Sequence, residues 1–97
     1  MRIVTFRRIK DFCEKDRQVA VALYDWYHRV KKAEWENFSN IKKDFRTADH
    51  VGNNRYVFNI KGNHYRLVTI IIFASKKVYV RFIGSHNEYN KIDCKTI

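Results

Sequence analysis

A chain of 97 residues has room for one domain and one core. Its 45% hydrophobic content excludes a disordered tail, and its longest apolar run, residues 67–74, is too short to cross a bilayer. The net charge of +10 and the pI of about 9.9 point to a polyanionic partner: nucleic acid, an anionic membrane or an acidic protein.

Ile3 and Val4 suit a short opening strand. Phe6, Ile9, Phe12 and Cys13 then recur at three- and four-residue steps, as do Val19, Leu23, Trp26, Tyr27 and Val30, so the first part reads as amphipathic helix. Glu14-Lys15-Asp16-Arg17 divides it into two helices, with Asp16 expected to cap the second. Arg29, Lys31 and Lys32 suit the negative pole at that helix's end. A third short helix is expected over residues 37–43.

The second part reads as sheet. Residues 55–60 alternate and are rich in Tyr, Val, Phe and Ile; residues 65–73 are β-branched and aromatic; residues 78–83 alternate again. Gly62-Asn63 is a two-residue hairpin signal, and the connection near Ser75-Lys76 is also short, which gives a three-stranded antiparallel meander. Ser85 with Glu88 three residues on is a capping-box signature, so a last helix starts there. Helices first and strands later predict an α+β domain, residues 1–97, with the helices on one face of a small antiparallel sheet. Proline, repeats and low-complexity tracts are absent.

Charge is sorted along the chain. No carboxylate lies between Asp49 and Glu88, a stretch that holds Arg55, Lys61, Arg66, Lys76, Lys77 and Arg81. Cys13 and Cys94 lack the spacing of a zinc site and read as structural or incidental. The N-terminus has no apolar leader, so a cytoplasmic protein with reduced thiols and no membrane association is expected.

Hairpin pairing predicts which side chains meet. With Gly62-Asn63 as the loop, Lys61 pairs with His64 and Asn59 with Arg66, which places these four on one face and Phe58, Ile60, Tyr65 and Leu67 on the core face. A second two-residue loop pairs Ala74 with Lys77 and Ile70 with Arg81, and turns Arg81 the same way as Arg66; a loop one residue longer reverses it. His86 falls in the first turn of the last helix, whose open amides attract phosphate, and Tyr89 lies three residues on. The expected site therefore contains Lys61, His64, Arg66, Arg81, His86 and Tyr89, with no carboxylate, and Arg55, Asn59, Lys76 and Lys77 extend it as RNA contacts. Cations and imidazoles suit RNA cleavage through the 2′-hydroxyl: the substrate brings its nucleophile, and the protein supplies a base, an acid and positive charge, with no metal or cofactor.

Two long stretches carry a resemblance. Val51-Gly52-Asn53-Asn54-Arg55-Tyr56-Val57-Phe58-Asn59-Ile60-Lys61-Gly62-Asn63-His64-Tyr65-Arg66-Leu67-Val68 resembles the central motif of the HigB toxin family, and Val78-Tyr79-Val80-Arg81-Phe82-Ile83-Gly84-Ser85-His86-Asn87-Glu88-Tyr89 resembles its last strand. Trp26-Tyr27 and Lys31-Lys32-Ala33-Glu34-Trp35 fit the same pattern, so the resemblance covers nearly the whole chain. It implies a RelE-like fold and a toxin of a type II toxin–antitoxin module that cuts messenger RNA, often in the ribosomal A site. It also implies a helix-turn-helix (HigA-like) antitoxin. His86 matches the family's leaving-group proton donor, Arg66 and Arg81 its phosphate-stabilising arginines, and Lys61 its hairpin lysine. The general base varies across the superfamily; His64 is a candidate, and Tyr89 orients or stacks on the scissile nucleotide.

Each residue also has an ordinary reading. Lys61 and His64 flank a tight turn, where polar side chains are normal. Arg66 alone could be a solvated strand residue, His86 a helix-start residue, and Tyr89 a packing residue at the sheet edge. Trp26, Tyr27, Trp35 and Phe38 read as core aromatics. The main rival function is a non-catalytic basic RNA-binding module, which needs exposed aromatics on the charged face, whereas the pairing puts Phe58 and Tyr65 on the core face. A DNA-binding regulator lacks a free recognition helix, and a membrane-surface role is disfavoured because the basic residues fall mainly on strands.

Overall fold

In the computed structural model, which describes residues 1–97, a two-residue strand β1 (Arg2–Ile3) leads into α1 (Phe6–Lys15) and α2 (Ala20–Lys32). Their apolar stripes are spent on the core: α1 buries Ile9 and Cys13, and α2 buries Leu23, Trp26 and Val30. The short α3 (Phe38–Asp44) is started by Asn37, whose side chain accepts the N–H of Asn40 at 3.1 Å, and it buries Ile41. The strands follow: β2 (Asp49–Gly52), β3 (Arg55–Ile60), β4 (Tyr65–Ile72) and β5 (Lys77–Ser85), and then α4 (His86–Tyr89). The sheet order is β1-β5-β4-β3-β2, antiparallel except for the parallel β1–β5 pair. The helices cover one face, as an α+β domain requires.

That face is aromatic. The Phe58 ring lies 5.4 Å from Trp26, 6.2 Å from Trp35 and 5.2 Å from Phe45, centroid to centroid. Trp26 and Trp35 are buried, while Tyr27 and Phe38 pack half-buried against the same cluster. No helix is long and apolar enough to cross a membrane.

Four expectations need correction. Asp16 caps the end of α1 rather than the start of α2, whose N-cap is Val19; its carboxylate accepts the Gln18 N–H at 3.1 Å and the Tyr65 hydroxyl from the sheet. β2 pairs with β3 as an edge strand that the sequence reading left out. The β3–β4 register is as expected, with Asn59 opposite Arg66, but Ile60↔Tyr65 is the last pair, so Lys61 and His64 lie in the turn and do not pair. The β4–β5 turn spans residues 73–76, so Lys77 pairs with Ile72 instead of Ala74, and Tyr79, not Arg81, faces Ile70.

A β-bulge then interrupts β5. Thr69 pairs with Val80 but Val68 pairs with Phe82, so Arg81 is the extra residue. Val80 and Ile83 both pack with the helix-side core, which leaves Arg81 and Phe82 together on the opposite side of the strand. The turn is two residues longer than expected, and an even shift preserves the face, so Arg81 keeps its expected side although its partner changes.

The second face is not bare. Val57 and Val68 are buried yet lie outside the helix-side core. The terminal segment after α4 is tied to the β2–β3 side: Asn53 Nδ2 donates to the Lys95 carbonyl at 3.2 Å and Arg55 Nη2 to the Ile97 carbonyl at 2.8 Å.

Candidate functional site

The β3–β4 turn is shaped by backbone that only some residues tolerate. Lys61 has φ 54° and Gly62 φ 65°, and His64 N–H closes the turn on the Lys61 carbonyl at 3.3 Å. The His64 carbonyl in turn accepts the N–H of His86 at 3.1 Å. One backbone bond thus ties the hairpin tip to the first residue of α4, and the two histidines emerge from adjacent stretches of chain.

Three strands run beneath this junction. Tyr65 lies between Ile60 and Ser85, and Arg66 between Asn59 and Gly84. Neighbouring strands are about 4.8 Å apart, so Arg66 occupies the middle of the site, with Asn59 on one side and Gly84 on the other. Gly84 has a packing reason to lack a side chain: a Cβ there would sit 2.6 Å from Phe82 Cζ and 3.2 Å from Glu88 Oε1. The Arg66 guanidinium makes only long bonds to its own hairpin, 3.3 Å to the Asn63 carbonyl and 3.4 Å to the Tyr65 carbonyl. Its carbon stands 5.9 Å from the centre of the Tyr89 ring. Donors held this loosely are available to a phosphate.

A helix of four residues cannot stand on intrinsic propensity. It is held by its capping box: Ser85 Oγ accepts the Glu88 N–H at 3.1 Å, and Glu88 Oε1 accepts the Ser85 N–H at 2.8 Å. Asn90 Nδ2 lies 3.2 Å from His86 Nδ1. The contact fixes the ring's orientation in either charge state: the amide nitrogen donates to Nδ1 of a neutral imidazole, and the amide oxygen, turned over, accepts Nδ1–H of the imidazolium. Burial pushes the Tyr89 phenol up to about 12, aided by a hydrogen bond with Cys94 and the Cys94 and Asp49 charges and opposed by Arg66. A phenol raised in this way stays neutral under physiological conditions and can donate a hydrogen bond.

The structure brings Lys61, His64, Arg66, His86 and Tyr89 to one end of the sheet. Arg81 lies three residues back along β5 from Gly84, about 10 Å away along the strand, exposed at the bulge, with its carbonyl accepting Arg8 Nη1 at 2.9 Å. Asn59 is beside Arg66, whereas Arg55 and Lys76 are turned to their own chain: Arg55 donates to the Asn53 and Ile97 carbonyls and Lys76 Nζ to the Trp35 carbonyl at 2.9 Å. Lys77 is at the far end of β5.

The expected absence of carboxylates does not hold, because folding places Glu88 against Gly84 and Asp49 close enough to Tyr89 to raise its phenol. The sequence signal for Glu88 was the capping box itself. No group of three or more His, Cys, Asp or Glu side chains is placed to hold a metal ion. None of the hollows in the surface is lined by Lys61, His64, Arg66, His86 or Tyr89, so the cluster is an open surface and not a cleft; one hollow lies between α1 and β5, lined by Arg8, Asp11, Phe12, Lys15 and Ile83. An open cationic surface suits a polymer better than an enclosed small molecule.

Comparison with known proteins covers the same stretch. Residues 19–92 match the HigB toxin family, described as the RelE-like toxic component of a toxin–antitoxin system. The mRNA interferase toxin HigB of Escherichia coli K12 is 30% identical over 92 residues, 93% of this chain and 88% of that protein. The mRNA interferase HigB of Shigella flexneri gives the same figures. That of Escherichia coli O6:H1 is 27% identical over 94 residues, 95% of this chain and 91% of that protein.

Proposed function

Because this chain belongs to the HigB family of RelE-like toxins, we propose that it is an endoribonuclease that cleaves messenger RNA and thereby inhibits translation. The observation that supports the reading is the His86 N–H to His64 carbonyl bond beside Arg66, which brings two histidine-bearing stretches of backbone and a loosely held guanidinium to one end of the sheet.

The chemistry follows from that inventory. The substrate's 2′-oxygen attacks the adjacent phosphorus as its proton passes to a base, and the P–O5′ bond breaks. His86, in its imidazolium form, passes its Nε2 proton to the departing 5′-oxygen and is left as neutral imidazole. Arg66 stabilises the extra charge on the phosphorane, Lys61 adds positive potential at the hairpin, and Arg81 holds the neighbouring phosphate. His64 is the candidate base by its position opposite His86 across the shared backbone bond. Tyr89, neutral and facing Arg66, orients the scissile nucleotide. The products are a 2′,3′-cyclic phosphate and a 5′-hydroxyl, and the protein itself needs no metal or cofactor.

The +10 chain acts on RNA in association with the ribosome and is silenced by a helix-turn-helix, HigA-like antitoxin with an acidic segment over the cationic surface. The test is purified protein added to labelled messenger RNA in EDTA, with and without translating ribosomes. Products ending in 2′,3′-cyclic or 3′-phosphate are expected. Ribosome-free cleavage that stops in EDTA and resumes with magnesium contradicts the proposal.

A further inference from the structure

A basic, aromatic-bearing sheet face is the feature by which RNA-binding folds hold unpaired bases. Strict alternation through Val78, Tyr79, Val80, Arg81, Phe82 and Ile83 puts Phe82 with the helix-side core. The bulge at Arg81 reverses this: Ile83 takes the core position, and Phe82 joins Tyr79 on the face turned away from the helices. Neither Tyr79 nor Phe82 packs with the core cluster, and both are partly exposed, the Phe82 ring lying over Gly84.

Three observations suggest what lies on them. The terminal segment is tied by hydrogen bonds to Asn53 and Arg55, on the β2–β3 side, and none ties it to β5, where Arg81 is exposed and Lys77, Tyr79 and Phe82 are partly exposed although Val68 beside Phe82 is buried. The strands on this side carry Lys77 and Arg81 and no carboxylate of their own; Glu88 of α4 approaches at the Gly84 end. Tyr79 pairs with Ile70 and Phe82 with Val68, so the two rings stand two residues apart along β4, roughly 7 Å. A stacked strand rises about 3.4 Å per nucleotide; a strand opened so that each base meets its own ring advances about twice that.

We propose that Tyr79 and Phe82, flanked by Lys77 and Arg81, form a stacking subsite for unpaired RNA bases next to the cleaved phosphodiester. The proposal rests on the nuclease reading for the identity of the polymer and adds where its flanking nucleotides lie. Successive bases are held face-on along β5 while the two cations follow the backbone, and this sets how much single-stranded RNA beyond the scissile bond contributes to affinity.

The test measures binding, so it does not depend on turnover. A fluorescent RNA of about eight nucleotides, within the usual reach of one such surface, carries a single 2′-deoxy nucleotide to block cleavage. An abasic site is then moved through the flanking positions. Wild type and Tyr79→Phe should lose about 5- to 150-fold in affinity when one flanking base is removed. In Tyr79→Leu that abasic penalty should vanish, because the ring is already gone. Tyr79 is partly exposed, so Leu should leave the fold intact, checked by an unchanged melting temperature. An identical abasic profile in all three proteins, or no affinity of wild type for the RNA, overturns the subsite. If the profile appears as expected but wild type cuts no RNA under any condition, the nuclease reading fails and the stacking face stands.

Discussion

Replacing Ser85 by Ala removes the side chain that starts α4. The structure shows what is lost: the Glu88 N–H loses its acceptor at 3.1 Å, and Glu88 has less reason to stay over the Ser85 N–H. Loss of such a cap costs about 1 kcal/mol, in the range of roughly 0.5–2. Four residues have no helical stability to spare, so that change weights α4 against its frayed state by about fivefold. Fraying releases the Asn90–His86 bond and lifts Tyr89 from Arg66, so cleavage should fall by about fivefold or more. The helix-side core lies on the other face, and no residue of α4 is fully buried, so the melting temperature should drop by no more than about 4–8 °C. Single-turnover cleavage of a short RNA and thermal denaturation, run on Ser85→Ala and Ser85→Thr, make the comparison. Thr keeps the hydroxyl and should restore most of the rate. Full activity in Ser85→Ala, or equal loss in both variants, refutes the view that the capping box positions His86.

Tyr89→Phe should lower the rate without changing the shape of the pH–rate profile between about pH 6 and 9, because a phenol held at about 12 does not titrate there; a displaced alkaline limb would show that Tyr89 acts as the base. The same raised value has a stability consequence. The stabilisation from keeping the phenol neutral is complete below the ordinary value of 10 and disappears as pH rises through about 12, so denaturant titrations should show wild type losing more stability than Tyr89→Phe across that window. Phe58→Ala opens a cavity among Trp26, Trp35 and Phe45 and should cost about 3–5 kcal/mol, lowering the melting temperature by at least about 12 °C; a smaller shift would mean that the aromatic cluster closes over the gap.

Local chemistry was legible where residues close in sequence decide it. The Ser85/Glu88 box, the Asn37 start of α3 and the register of Arg66 against Asn59 all follow from spacing and turn residues. The bulge at Arg81 was not legible, since Val78 to Ile83 alternates evenly by composition and the interruption comes from how β5 meets β4. β2 was missed because Asp49-His50-Val51-Gly52 contains one good strand former and is held only by β3. Asp16 was misplaced because its main partner, the Tyr65 hydroxyl, comes from the sheet. At the site, the cations and imidazoles could be read from the hairpin and Glu88 from its capping box, but the approach of Asp49 to Tyr89 and the diversion of Arg55 to the Ile97 carbonyl and of Lys76 to the Trp35 carbonyl depend on contacts distant in sequence.

Convergence of Arg66 and His86 on a single phosphate is tested most directly by a double-mutant cycle on cleavage rate. Arg66→Ala and His86→Ala should each cost about 10²–10³, and the double variant should be little slower than the worse single one, because groups that act on one transition state are strongly non-additive. Independent, multiplying losses, or variants that cleave within a fewfold of wild type, would contradict a shared site.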